Sequence, residues 1–243
     1  MTKTAIVTGA SSGLGFAIAK AYLARGYNVV GNARTMDRLL TAAAHLDNPA
    51  NFLPVAGDIA DPATAKALFE QATARFGKVD ILVNNAGIFI AKPAVDYSEA
   101  DTDAIVATNL KGFLFPAQEA IRHMEANGGG HIVNITASLG VTPAKATALL
   151  PVLVKGGLNM ATRALALELA GKNIKVNAVA PGIISTPLHG SDAATQEFLK
   201  GLVPTHRLGS AQDIADAVLY LTDSSFISGH ILTVDDGGSA GNW

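Results

Sequence analysis

The chain has 243 residues, no cysteine and a formal charge of −2, from 18 basic and 20 acidic side chains. The missing cysteine excludes disulfide staples, thiolate catalysis and cysteine-held metals, and the near-neutral balance gives no electrostatic grip on nucleic acid or anionic lipid. Hydrophobic residues make up 49% and charged residues 16%, enough apolar surface for one large core, and no run reaches the roughly 18 to 20 apolar residues of a membrane span. The start, MTKTAIVTGA, lacks a basic stretch followed by a long apolar one, so a soluble, cytoplasmic protein is expected.

Short apolar runs alternate with longer helical patterns. Strands are predicted at Thr4–Thr8, Asn28–Asn32, Phe52–Ala56, Ile81–Asn84, His131–Ile135, Lys175–Val179 and His230–Val234. Helices are predicted at roughly Gly13–Arg25, Met36–His45, Pro62–Phe76, Ala104–Met124, Leu150–Leu169 and Ala211–Leu221. Runs such as AIVTG, ILVNN and HIVNI are apolar at nearly every position. Burial on both faces requires that, and it predicts an α/β fold: a doubly wound parallel sheet of about seven strands in a single domain. The stretch from Pro181 to about Pro204 reads as one long irregular segment, with a substrate lid expected at about 182–206.

The first strand runs into Gly9-Ala-Ser11-Ser12-Gly13-Leu14-Gly15, and a helical pattern follows at once. Glycines at this spacing allow a tight turn and a close backbone approach to a pyrophosphate, which then meets the free N–H groups of the helix. Together with NNAG at Asn84–Gly87, Asn109 in TNLKG, Pro181-Gly182 with Thr186, and SGHILTVDDGG near the end, the chain resembles the short-chain dehydrogenase/reductase family from residue 4 to about 240. The resemblance implies a Rossmann-type NAD(P)-binding fold and hydride transfer to or from a carbonyl or alcohol. It also implies cofactor contacts at Gly9, Ser11 to Gly15, Asn32, Arg34, Asp58, Ile59, Asn85, Ala86, Gly87, Lys155, Pro181, Gly182, Ile184 and Thr186. Where NAD users of the family carry an acid after the second strand, this chain has Ala33 followed by Arg34. A guanidinium there suits the 2′-phosphate of NADP(H) better than NAD(H).

In the family a tyrosine moves the proton, a lysine four residues later holds the ribose and lowers the phenol pKa, and a serine and an asparagine complete the site. Lys155 and Asn109 match, and Ser138 stands 13 residues before the tyrosine position; aligned on Asn134 and Gly140, Ala137 competes with it. The tyrosine position itself holds Pro151, which has no ionisable proton. His189, with His206 as a weaker candidate, or a water on Ser138 is expected to replace the phenol. No metal-ligand spacing is found. Phe89, Ile90, Leu149, Leu150, Leu153 and Leu188 suggest a small apolar carbonyl or alcohol substrate. The resemblance also implies a homo-oligomer, a dimer or tetramer. Two functions stand side by side: an NADP(H)-dependent oxidoreductase of atypical site, and an NADP(H)-binding sensor or assembly subunit with little or no catalysis.

Overall fold

Every strand of the sheet is parallel to its neighbours, in the order β3-β2-β1-β4-β5-β6-β7, in the computed structural model, which describes residues 2–143, 147–187 and 192–241. The strands are β1 (Thr4–Val7), β2 (Asn28–Ala33), β3 (Phe52–Ala56), β4 (Ile81–Asn84), β5 (Gly130–Ile135), β6 (Ile174–Pro181) and β7 (Ile231–Val234). Successive side chains of a strand point to opposite faces. Ala5 and Val7 therefore feed one core, with Ile18 and Tyr22 of helix α1 (Gly13–Ala24), Leu39 of α2 (Met36–Ala44) and Ile214 and Val218 of α8 (Ala211–Asp223). Ile6 feeds the other, with Leu68 of α3 (Pro62–Phe76), Met124 of α5 (Gly112–Ala126) and Ala166 of α6 (Leu149–Glu168). Two covered faces explain why the strands are apolar throughout.

Chain order reverses at β1, which pairs with β2 on one side and β4 on the other. At such a switch point the loops leave in opposite directions and open a crevice outside the carboxyl ends of the strands. The first turns after β1 and β4 both line it.

Two elements differ from the expected ones. The helix expected at Ala104–Met124 starts earlier, as α4 (Glu99–Ile105), where Ser98 and Asp101 form a capping box. It then widens into a π-helical turn over Val106–Lys111 before α5. The segment expected to be irregular contains α7 (Ala193–Lys200), capped by Asp192, which accepts from the Thr195 N–H at 2.9 Å. This helix has two turns and buries no residue, so no apolar stripe marks it in the sequence.

His131 on β5 has a buried Nδ1 with no partner among the described residues. Burial, and then Lys3 and Lys175, push its pKa down to about 4. The unfolded chain, with histidine near 6.5, takes up the proton first. The stabilisation from a neutral His131 is therefore complete above pH 6.5 and is lost as pH falls toward 4, by up to roughly 1 kcal/mol per pH unit. Urea unfolding at pH 7 and pH 5 checks this: His131→Gln is expected to lose less stability than the wild type, and an equal loss refutes it.

Candidate active site

Thr8, fully buried at the end of β1, is the knot of the site. Its Oγ1 accepts from the backbone N–H of Asn85 at 2.9 Å and of Ala86 at 3.0 Å. Asn85 answers by donating Nδ2 to the Thr8 carbonyl at 2.8 Å. These bonds press the glycine turn against the exit of β4. Gly9 takes the left-handed conformation, with φ of 67°. A Cβ at Gly15 would overlap the Gly9 carbonyl oxygen and stand 2.5 Å from Asn85 Nδ2. No side chain larger than hydrogen fits either place.

Helix α1 begins directly after this turn. Ser12 precedes it without a side-chain cap bond, and its first turn carries no acid. By contrast α3, α4, α7 and α8 are capped by Asp61, Ser98, Asp192 and Ser210. The N–H groups and positive end of α1 are left for an anion. Thr186 lies over the turn: a Cβ at Gly13 would meet its Cβ at 3.8 Å.

At the end of β2, Arg34 is exposed and forms no ion pair among the described residues. Asn32 is buried, and its amide donates to the carbonyls of Val55 and Gly57 at 3.1 Å each. Its side chain secures β3, and only its backbone faces the glycine turn, accepting from the Ala10 N–H at 2.8 Å. Asp58 is exposed and accepts from the Ala60 N–H, while Ile59 is buried.

Lys155 projects from α6, and its Nζ donates to the Ile135 carbonyl at the end of β5 at 2.9 Å. Burial brings its pKa from the usual 10.5 down to about 8. A Cβ at Gly87 would stand 3.6 Å from this Nζ and 3.3 Å from Asn109 Oδ1, so lysine and asparagine converge over the backbone that follows β4. The Asn109 amide, in the π turn, is engaged on both sides, accepting from the Ile88 N–H at 2.8 Å and donating to the Ile88 carbonyl at 2.9 Å. Ser138 opens a 3-10 turn, Ser138–Gly140, that packs on α6; a Cβ at Gly140 would come within 2.7 Å of the Lys155 backbone. Asn159, one helical turn beyond Lys155, donates to the Gly140 carbonyl at 3.0 Å. Thr8 and Asn159 were not singled out from the sequence. A buried hydroxyl just before a glycine turn is the signal that points to Thr8.

Pro151 is buried as the third residue of α6, where a helix needs no N–H donor. The tyrosines lie elsewhere. Tyr22 is in the core with its hydroxyl 3.1 Å from that of Thr222, and Tyr27 stacks on it. Tyr97 donates to the Ile90 carbonyl at 3.0 Å, and Tyr220 is exposed on α8. His189 and Leu188 lie outside the described residues, and His206 is exposed on the far stretch of the same loop. Beyond β6, which ends at Pro181, Gly182 donates to the Val234 carbonyl and Ile184 is buried against Gly209. Of the expected apolar lining, Ile90 and Leu150 pack with Phe113, Val154 and Leu158, whereas Phe89, Leu149 and Leu153 are exposed.

A family model described as enoyl-(acyl carrier protein) reductase matches residues 9–239. The granaticin polyketide synthase putative ketoacyl reductase 2 of Streptomyces violaceoruber is 35% identical over 240 residues, 96% of this chain and 94% of that one. The chain is a short-chain dehydrogenase/reductase. Among solved members of the family, 3-ketoacyl-(acyl-carrier-protein) reductase from Brucella melitensis complexed with NADH is 33% identical. It superposes with a TM-score of 0.91 over 98% of both chains. ElxO with NADP bound is 29% identical, with a TM-score of 0.92 over 99% of this chain and all of that one. Relatives with either dinucleotide thus share this architecture.

In this short-chain dehydrogenase/reductase the Thr8 hydroxyl is expected to hold the whole crevice. Thr8→Val leaves two backbone donors unsatisfied and is expected to lower stability by about 2 kcal/mol or more, with NADPH affinity falling alongside, while Thr8→Ser keeps both. An unchanged urea midpoint for Thr8→Val, with intact cofactor affinity, refutes that role.

Proposed function

We propose that the protein is an NADP(H)-dependent carbonyl reductase or alcohol dehydrogenase with an active site that lacks the family's phenolic acid/base. The observation that carries this reading is the position of Lys155 Nζ, held on the Ile135 carbonyl and converging with Asn109 over the Gly87 backbone, in a crevice whose glycine turn leads into the uncapped start of α1. A dinucleotide fits these residues. Its pyrophosphate is read as lying on the turn of Gly9, Ser11, Ser12, Gly13, Leu14 and Gly15. Its adenosine is assigned to Asp58, Ile59, Asn85 and Ala86, and its nicotinamide end to Lys155, Pro181, Gly182, Ile184 and Thr186. When bound, the cofactor supplies or accepts the hydride.

The chain's own residues orient the reaction. Ser138, on a turn fixed to α6 through Gly140 and Asn159, is assigned to hold the substrate oxygen. Ile90 and Leu150, half-buried beside the cluster of Phe113, Val154 and Leu158, are read as the apolar lining for a small carbonyl or alcohol. No group of three or more potential metal ligands gathers among the described residues, and the assignment uses no metal.

The absence of an acid at the end of β2 and the free Arg34 support NADP(H) over NAD(H). No helix of the described residues is long and apolar enough to cross a membrane, and we read the protein as cytoplasmic. Leu110, Leu114, Leu153, Met160 and Leu167 leave exposed apolar surface on the π turn, α5 and α6; this supports a homotetramer. Pro151 favours a second reading, an NADP(H)-binding protein with little or no catalysis. The relatives' names, those of reductases and dehydrogenases, weigh toward the first.

Fluorescence titration with NADPH and NADH, followed by a screen of aldehydes and ketones, tests the reading. Arg34→Ala is expected to weaken NADPH roughly 10-fold, about 1.4 kcal/mol, and to leave NADH unchanged. No measurable affinity for either dinucleotide overturns the assignment. Tight binding with turnover appearing only in Pro151→Tyr selects the non-catalytic reading.

A further inference from the structure

We infer that Lys155 is the acid of this site, its Nζ handing the substrate oxygen the proton that a tyrosine would otherwise supply. The inference rests on the oxidoreductase reading above and adds the proton donor that reading lacks.

The case starts from Pro151. Removing the phenol takes away the group whose pKa Lys155 would lower, but it leaves the lysine's own ammonium in place, half-buried on the same helix face one turn on. That ammonium has three donors. One goes to the Ile135 carbonyl, and the other two have no partner among the described residues. The neighbouring Asn109 amide does not take them, its two ends being bonded to Ile88. The remaining N–H vectors are available to a bound oxygen between the Ser138 turn, which packs on the Lys155 backbone, and the backbone of Gly87. Tyr97 is no rival, since its hydroxyl donates to Ile90 and accepts from the Lys92 N–H.

Its acidity suits the work. Burial alone lowers Lys155 to about 8. The charged groups on elements packed against α6 have no share in that shift: Glu99, Asp101 and Asp103 of α4, Lys111 of the π turn, Lys172 after α6 and Lys175 of β6. Asp101 is paired with Lys92 at 2.6 Å. A general acid works best when its pKa lies near the operating pH. At pH 7 the group is mostly charged, yet it gives up its proton far more readily than an exposed lysine.

The step balances. The carbonyl carbon gains a hydride and its electron pair from NADPH, the named reductant, and its C=O π pair moves to oxygen. An Nζ–H bond breaks as the O–H bond forms. The alcohol leaves, and the neutral amine is recharged from solvent. In the oxidative direction the neutral amine takes the proton from the alcohol.

The test uses the full chain and two readouts. In the first, competitive acetylation with acetic anhydride is followed at Lys155 by mass spectrometry across pH 6 to 11, without cofactor. A reactivity midpoint near pH 8 is expected. A midpoint near 10.5, or a lysine that never reacts, overturns the inference, because an amine closed to a small electrophile is closed to a carbonyl substrate. In the second, NADPH-dependent reduction of the aldehyde and ketone panel is measured with Lys155→Arg, which keeps the charge but releases no proton near neutrality. With NADPH saturating for each protein, the expected result is a rate down at least 100-fold in Lys155→Arg.

An undiminished rate in Lys155→Arg overturns the role of Lys155 and leaves the oxidoreductase reading standing. Should Lys155→Arg also lose the cofactor, the wild-type profile decides: a rate falling as pH rises through about 8 supports the inference, and a flat one overturns it. A wild type that binds no NADPH fails the oxidoreductase reading itself, which the acetylation readout does not depend on.

Discussion

One hydroxyl governs the geometry of this molecule. At the switch point of a doubly wound sheet, two neighbouring strands send their loops apart, and nothing in the ladder of the sheet holds those loops in register beyond the last pair. Thr8 supplies the missing tie by accepting two N–H groups from the chain leaving β4. The tie requires that Gly9 and Gly15 have no side chains, because the backbones it draws together leave no room for them. Loop chemistry and strand packing are thus one constraint, and the crevice is as rigid as the core beneath it.

A second set of bonds carries that rigidity to the other side of the crevice. Asn84 donates to Asn134 at 3.1 Å, Asn134 to Thr162 at 2.9 Å, and Thr162 to the Leu158 carbonyl at 2.8 Å, joining β4, β5 and α6 through buried polar groups. Buried amides are costly unless bonded, so a chain of them fixes the relative position of the three elements closely. Lys155 leaves α6 one turn before Leu158 and inherits that precision. Pro151 does not disturb it, since a proline in the first turn of a helix replaces a donor the helix never used.

Much of this was legible in the sequence, and the reasons differ from place to place. Strands β1, β4 and β5 could be read because burial on both faces demands unbroken apolar runs, and α3 falls where Pro62 and the helical period place it, capped by Asp61 and ended at Gly77. The boundary between α4 and α5 was not legible: a π turn changes the hydrogen-bond step without changing which residues are apolar. Helix α7 escaped because it lies on the surface and buries nothing. At the site, residue type told which chemistry is present but not which atoms are free. The side-chain amides of Asn32 and Asn85, expected as cofactor contacts, also bond within the fold, to the β3 end and to the Thr8 carbonyl. Thr8, the first residue of the TGASSGLG stretch, ties that stretch to the exit of β4.

The segment after β6 shows how such a scaffold can vary at its edge. Ser185 donates to the Gly209 carbonyl at 2.8 Å, and Gly209 to that of Ile183 at 3.0 Å. The chain thus leaves the end of β6 and comes back beside Ile184 through a cinched neck before it enters α8. Closure entropy rises only slowly with the length of what lies beyond such a neck. Residues between the two stems can be lengthened, shortened or exchanged with little strain reaching β6 or the glycine turn. Change in the length or sequence of that segment is thereby uncoupled from retention of the machinery beneath it.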